Sequence, residues 1–155
     1  MTPALRFTIQ DLYDAYCGVI DDGELEAWPR FFIDPCLYRV TAAENWDRGL
    51  PLSLIFCESV AMLEDRVTSL RRTQMFAPRR VRHFLSAFRI TRDAEAILVR
   101  ANFLMLHSVE GEPTTILATG RLIDRLIETA DGLKFQEKIA VYDSPLVPNS
   151  LILPV

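Results

Sequence analysis

Four long β-strands are predicted by residues 80–143, RVRHFLSAFRITRDAEAILVRANFLMLHSVEGEPTTILATGRLIDRLIETADGLKFQEKIAVYD. Apolar and polar residues alternate through much of this stretch, and short polar turns such as GEP and ADG interrupt it. The predicted strands cover residues 80–92, 96–108, 114–128 and 133–143. Because short turns join neighbouring strands in antiparallel order, we expect one curved antiparallel sheet.

The residues before this stretch are predicted to be mainly helical. Apolar residues at steps of three and four predict a helix over residues 9–20, capped by Thr8, and a second helix from Ser59 to about residue 72. A short helical stretch near residues 25–32 contains Pro29, strands are predicted at 36–41 and 52–57, and residues 44–51 read as an exposed loop. Helices followed by long strands predict an α+β fold over residues 1–155, with helices on one face of a six-stranded sheet.

Length and charge set further limits on function. The chain has 155 residues, of which 50% are apolar and 25% charged, as in one soluble folded domain. A net charge of −4 gives no overall attraction to nucleic acid or anionic lipid. Because the sequence contains neither a membrane-spanning apolar run nor a signal-peptide pattern, we expect a cytoplasmic protein without nucleic-acid or membrane partners.

The cysteines and histidines predict no metal site. Cys17, Cys36 and Cys57 are widely spaced and odd in number, unlike a disulfide framework, and are expected to be free buried thiols. No CxxC or CxxH pair is present, and His83 and His107 are the only histidines. We therefore expect no metal ligand and no cofactor on this chain.

The predicted strand at residues 96–108 is apolar on both faces. One face carries Ile97, Val99, Ala101, Phe103 and Met105, and the other carries Leu98, Leu104 and Leu106. A sheet that is covered on one face only should alternate more cleanly. Two interpretations stay open, because either another chain or this chain's own loops could cover the second face.

Five stretches resemble a known family. They are DDGELEAWPRFFIDPCLYRV (21–40), ENWDRGLPL (44–52), SVAMLEDRVTSLR (59–71), RRVRHFLS (79–86) and FQEKIAVYDS (135–144). In combination they resemble the beta, or small, subunit of aromatic-ring-hydroxylating (Rieske non-haem iron) dioxygenases. The resemblance is nearest to enzymes acting on aromatic acids such as terephthalate, salicylate or halobenzoate.

The resemblance implies an NTF2-like cone, with about three helices on a strongly curved six-stranded sheet. It further implies a noncatalytic subunit that organises larger alpha subunits, in an assembly of three alpha and three beta chains. In that family the Rieske 2Fe-2S cluster and the mononuclear Fe(II) belong to the alpha subunit, and NADH supplies electrons through a reductase. No catalytic residue is then expected on this chain.

Eight residues are predicted to contact partner subunits: Trp46, Asp47 and Arg48 in the predicted loop, the basic Arg79, Arg80 and Arg82, and Leu151 and Leu153 in the apolar tail. An aromatic beside opposite charges is typical of interface anchors, and arginines pair well with acidic surfaces. An exposed apolar tail is expected to dock on this chain or on a neighbour. The loop could instead be an ordinary capped loop. The basic cluster could instead bind nucleic acid, but no aromatic platform or groove-reading motif accompanies it.

Two alternative functions remain open at this stage. A stand-alone NTF2-like isomerase or dehydratase would use a cone pocket around Tyr16, Tyr38 and His83, with an acid such as Asp21. A catalytically silent NTF2-like dimer would bind a small molecule or a protein. Loss of activity in a His83→Ala variant would indicate the enzyme, whereas loss of assembly in a Trp46→Ala variant would indicate the subunit.

Overall fold

A six-stranded sheet is the framework of the chain in its computed structural model, which describes residues 2–72, 78–93, 95–144, 146 and 153–155. The strand order is β2-β1-β6-β5-β4-β3, in which β1 and β6 are parallel and every other pair is antiparallel. The elements in chain order are α1 (Pro3–Asp21), a 3₁₀ helix (Leu25–Phe31), β1 (Phe32–Ala42), α2 (Ala43–Asp47), β2 (Ile55–Cys57), α3 (Val60–Arg72), β3 (Arg79–Asp93), β4 (Ala96–Val109), β5 (Thr115–Thr129) and β6 (Gly132–Tyr142). The predicted α+β fold is confirmed.

Helix α1 begins earlier than the sequence predicted. Thr2 caps it, because its hydroxyl oxygen accepts a hydrogen bond from the Leu5 amide, and Pro3 occupies the first turn, where a missing amide donor costs nothing. Thr8 lies inside the helix, and its hydroxyl donates to the Ala4 carbonyl oxygen. The prediction of Thr8 as the cap is therefore wrong.

The segment predicted as a loop at residues 44–51 is partly helical. Ala43–Asp47 forms the short helix α2, and an ion pair between Glu44 and Arg48 spans one turn of it. Gly49 follows with a φ of 64°, a conformation that favours glycine and ends the turn. The loop prediction is wrong for α2, which contains the turn formers Asn45 and Asp47; only Gly49 and Pro51 follow the helix.

The sheet has an inner face, covered by α1, and an outer face on the opposite side. Along β4, Val99, Ala101, Phe103 and Met105 point inward and are buried, as the alternation predicted. Leu98, Leu104 and Leu106 point outward and are only partly buried. That another chain covers them remains a prediction.

A β-bulge in β3 changes which residues point inward. The register with β4 shifts between Ser86 and Arg89, and Ala87 adopts a φ of 55°. After this bulge Phe88 packs edge-on against Tyr13 of α1, with ring centroids 5.2 Å apart. The bulge thus turns Phe88 into the core and places Arg89 on the outer face.

The helices of the described residues include none that is both long and apolar enough to span a membrane.

Candidate functional site

A buried ion pair lies inside the curved sheet. Lys138 Nζ lies 3.3 Å from Asp124 Oδ2, and both side chains are almost completely buried. The Tyr13 hydroxyl donates to Asp124 Oδ2 at 2.6 Å, and the Ile139 amide donates to Asp124 Oδ1 at 3.2 Å. Every polar atom of this carboxylate is therefore already bound.

Aromatic rings surround the lysine of this pair. Lys138 Nζ lies 5.1 Å from the centroid of the Tyr13 ring, 4.6 Å from that of Tyr16 and 4.9 Å from that of Phe135. The negative faces of aromatic rings stabilise a cation, and this effect is larger where water is absent. The rings and the carboxylate together hold a charge that burial alone would exclude.

Burial controls the protonation of this cluster. Loss of hydration raises the pKa of Asp124 above its usual range, while the nearby Lys138 charge and the hydrogen bonds from Tyr13, Lys138 and Ile139 oppose that rise. Burial, and then the Asp124 charge, raises the pKa of the Tyr13 hydroxyl well above 10.0. Tyr13 therefore remains a hydrogen-bond donor at neutral pH, and the cluster holds the interior together without offering a free acid or base.

Tyr16 and Tyr38, the predicted pocket residues, hold the last residue of the sequence. The Tyr16 hydroxyl donates to the Val155 carbonyl oxygen at 2.9 Å, and the Val155 amide donates to the Tyr38 hydroxyl oxygen at 2.8 Å. Trp28 Nε1 donates to the Tyr16 hydroxyl oxygen at 3.0 Å. Val155 is 2% exposed, so its side chain fills the space beside the two tyrosines. Burial raises the pKa of both hydroxyl groups.

His83 pairs with Asp21 and not with these tyrosines. The His83 Nδ1 atom lies 2.6 Å from Asp21 Oδ1, and the His83 amide donates to Asp21 Oδ2 at 3.0 Å. A carboxylate that orients an imidazole in this way is one half of a general-base arrangement. The other ring nitrogen, Nε2, would have to reach a substrate, but it is buried and has no hydrogen-bond partner in the described part of the chain. Sequence reasoning named both residues. In the structure Asp21 holds the ring and the backbone amide of His83 and so joins the end of α1 to β3.

The predicted basic cluster gathers around one groove at the end of α1, lined in part by Arg71, Arg79, Arg80, Arg82, Asp21, Asp22 and Leu153. Acidic neighbours partly neutralise it: Arg82 lies 3.9 Å from Asp22, and Arg71 binds both carboxylate oxygens of Glu26. Arg80 is exposed. The structure thus brings three predicted interface arginines together on one surface.

The other predicted interface residues lie at separate places. Trp46, on α2, is half-buried, and the Arg39 guanidinium carbon lies 5.7 Å from its ring centroid. Asp47 and Arg48 are exposed and each pairs within the chain, Asp47 with Arg121 and Arg48 with Glu44. Leu153 packs partly against the core, and Leu151 lies outside the described residues.

Exposed apolar side chains on the outer face form a patch that sequence reasoning only partly foresaw. Phe84, on β3, is 54% exposed and lies opposite Leu104, while Leu106 lies opposite Ile116, which is 63% exposed. We call Phe84, Leu104, Leu106 and Ile116 the apolar patch. Contiguous exposed apolar surface of this kind marks contact with another protein.

Among the residues that the structure describes, no three His, Cys, Asp or Glu side chains converge in a way that could hold a metal ion.

Three comparisons with known proteins agree on one group. Over 151 residues the chain is 32% identical to the anthranilate 1,2-dioxygenase small subunit of Burkholderia cepacia, covering 96% of this chain and 93% of that one. It is 33% identical to the terephthalate 1,2-dioxygenase terminal oxygenase component subunit beta 2 of Comamonas sp., covering 91% and 92% of the two chains. A crystal structure from Novosphingobium aromaticivorans, provisionally assigned as an aromatic-ring-hydroxylating dioxygenase beta subunit, superposes with a TM-score of 0.88 at 30% identity over 98% of this chain and 97% of that one.

The curved sheet, its covering helices and its filled interior define an NTF2-like α+β protein of the kind found in dioxygenase beta subunits. The family model described as "Ring hydroxylating beta subunit" matches residues 17–149. The chain belongs to that family.

All three cysteines are free, and we expect them to be unreactive in the folded chain. Burial raises the pKa of Cys17 to about 12 and that of Cys36 to about 11, and it also raises the pKa of Cys57. At about pH 8 Cys17 and Cys36 are then less than ~1% thiolate, the form that attacks a disulfide reagent, and burial shifts the pKa of Cys57 in the same direction. Titration with Ellman's reagent should modify none of them rapidly before unfolding and all three in guanidinium chloride. Rapid modification of the native chain would contradict this account.

Proposed function

We propose that this chain is a noncatalytic structural beta subunit of a multicomponent aromatic-ring-hydroxylating oxygenase. The observation that carries the proposal is the apolar patch on the outer face, which stays exposed although the chain has a complete core of its own. A surface of this kind becomes stable in water when a partner subunit covers it. The family membership over residues 17–149 identifies the kind of partner.

The contacts of the ionisable groups inside the fold support a structural role. The groups that could act as acids or bases there are already engaged: Asp124 by Lys138 and Tyr13, and His83 by Asp21. Val155 fills the space beside Tyr16 and Tyr38, where a substrate of a stand-alone NTF2-like enzyme would have to bind. The isomerase or dehydratase alternative is therefore not favoured.

The full proposal includes the partner and its chemistry. A larger alpha subunit would carry the Rieske 2Fe-2S cluster and the mononuclear Fe(II), and a separate reductase would deliver electrons from NADH. The printed names of the relatives, anthranilate and terephthalate dioxygenases, support an aromatic carboxylic acid as the substrate of the complex. We further propose that residues 1–155 of this chain form one NTF2-like domain. We also propose that the assembly is cytoplasmic and contains three alpha and three beta chains.

The apolar patch gives a direct test of this proposal. Replacing Phe84 by Ser removes the aromatic ring of the patch, which is 54% exposed, so we expect at least a tenfold loss of large subunit co-purifying with the tagged chain, about 1.4 kcal/mol of association free energy. The matched control is Phe7→Ser on α1, which removes a ring that is 70% exposed on the opposite side of the sheet. Circular dichroism should show that both variants remain folded.

Equal recovery of the large subunit with both variants would contradict the placement of the interface. A second measurement addresses the enzyme alternative: the assembled enzyme carrying His83→Gln should retain turnover of the aromatic substrate. Stand-alone isomerase or dehydratase activity that is lost in His83→Gln would instead establish the alternative function. A stable small homo-oligomer with no activity and no partner would favour the silent dimer.

A further inference from the structure

Three arginine side chains form a row on the outer face of the sheet. Arg89 on β3 lies directly opposite Arg100 on β4. Arg121 on β5 lies opposite Asn102, which is two residues from Arg100 on the same face of β4, so Arg121 is the diagonal neighbour of Arg100. All three are exposed, and we call them the arginine row.

Most of the positive charge in this row has no counter-charge among the residues that the structure describes. Arg121 binds Asp47 at 2.7 Å, whereas the side chains of Arg89 and Arg100 make no ion pair or hydrogen bond with any residue that the structure describes. The nearby carboxylate of Asp143 accepts a hydrogen bond from the Thr119 hydroxyl. Like charges directly opposite each other destabilise a sheet, so the isolated chain gains nothing from this pair.

Backbone strain helps to place Arg89 in the row. Ala87 has a φ of 55°, a conformation that is unfavourable for a residue with a Cβ atom. Without the bulge at this position, regular alternation would have pointed residue 89 to the inner face, since residues 81, 83 and 85 point inward. Strain that places an unpaired charge on a surface is an arrangement common at binding sites.

The arginine row borders a groove of about 450 Å³ that Trp46 and Asn102 also line. Guanidinium groups bind carboxylates through two parallel hydrogen bonds, and arginine beside tryptophan is typical of the residues that dominate interfaces. The groove is continuous with the apolar patch, because Ser86 and Phe84 lie opposite Asn102 and Leu104 at adjacent outward positions of β3 and β4.

We infer that the arginine row binds aspartate or glutamate side chains of the large oxygenase subunit. The inference rests on the proposed function and adds a chemical requirement to it: an acidic segment of the large subunit must face Arg89, Arg100 and Trp46. The chain as a whole has a net charge of −4, so this basic surface differs in sign from the rest. Such a local difference in charge orients an acidic partner as it approaches.

The test uses the full-length tagged chain purified with its large subunit. The double variant Arg89→Gln, Arg100→Gln should bind the large subunit at least tenfold more weakly at low salt, and its binding should depend less on salt than that of the wild type. The control double variant Arg6→Gln, Arg30→Gln removes the same charge from exposed positions elsewhere and should bind as the wild type does. The isolated Arg89→Gln, Arg100→Gln chain should melt no lower than the wild type, because repulsion is removed.

Each other outcome overturns the inference. If the wild type retains the large subunit and both double variants retain it equally, the arginine row is not the contact, although the proposed function stands. If the isolated wild-type chain binds sodium benzoate, the variant does not, and the complex is unchanged, the row is a small-anion site. If the wild type retains no larger chain at all, the inference and the proposed function both fail.

Discussion

Replacing Asp124 by Asn should reduce the free energy of unfolding by about 3–5 kcal/mol, because it leaves the Lys138 charge buried without a partner. Lys138 Nζ lies 3.3 Å from Asp124 Oδ2 and 4.6–5.1 Å from the centroids of three aromatic rings. Cation–π attraction from the three rings offsets part of the lost hydration, but the rings supply neither a negative charge nor a strong hydrogen-bond acceptor for the ammonium group. Urea denaturation followed by circular dichroism measures the change.

The matched control removes both charges together. An Asp124→Leu, Lys138→Met chain should be much closer to the wild type than Asp124→Asn, because replacing a buried ion pair by apolar residues of similar volume is often nearly neutral. Comparison of the single with the double variant separates the cost of leaving one charge unpaired from the net value of the pair. If the single and double variants were equally destabilised, the pair would not be the source of the effect.

The pH dependence of a Lys138→Met chain gives a second check. Burial already raises the pKa of Asp124, and the substitution removes the strongest effect that opposes the rise. The folded variant then keeps a proton that the unfolded chain releases above its ordinary pKa of about 3.9. Its free energy of unfolding should therefore fall, relative to the wild type, as the pH rises from about 4 to 7.

Gly120→Ala should be the other severe change, reducing the free energy of unfolding by about 3 kcal/mol or more. A Cβ atom at this position would lie 2.0 Å from the Val141 carbonyl oxygen, 2.8 Å from the Tyr142 Cα atom and 2.9 Å from a ring carbon of Phe103. Two of these neighbours are backbone atoms of the adjacent strand β6, which cannot rotate away as a side chain could. The register of β5 with β6 would have to shift.

The matched control is the same substitution in helix α1. Gly18 has no atom within 4 Å of the position that its Cβ would occupy. Alanine in a helix interior is more favourable than glycine by about 0.5–1 kcal/mol, so Gly18→Ala should stabilise the chain. Thermal denaturation of both variants checks the pair: a Gly120→Ala chain as stable as the wild type would contradict the close approach of β5 and β6.

The long strands and the two longer helices could be predicted because their apolar residues repeat at intervals of two or of three to four. The four predicted strands at residues 80–143 correspond to β3–β6, and the helix from Ser59 corresponds to α3. The start of α1 and the short helix Ala43–Asp47 were harder to predict. Both depend on local hydrogen bonds, which produce no repeating pattern of apolar residues.

The residues that organise the site could be predicted only in part. Sequence reasoning named His83 and Asp21, but the pairing of Asp124 with Lys138 depends on the register of β5 with β6, which apolar alternation alone does not reveal. The arginine row was missed for a similar reason. A bulge at Ala87, which no alternating pattern indicates, places Arg89 opposite Arg100.

The central claim, that this chain is the structural subunit of a ring-hydroxylating oxygenase, is tested most directly by gentle purification of the tagged chain from its own host grown on an aromatic acid. The native mass, the iron content and the acid-labile sulfide content of the product should be measured together. We expect a large coloured complex in which a heavier chain co-purifies with iron and sulfide. A colourless small oligomer containing this chain alone would contradict the claim.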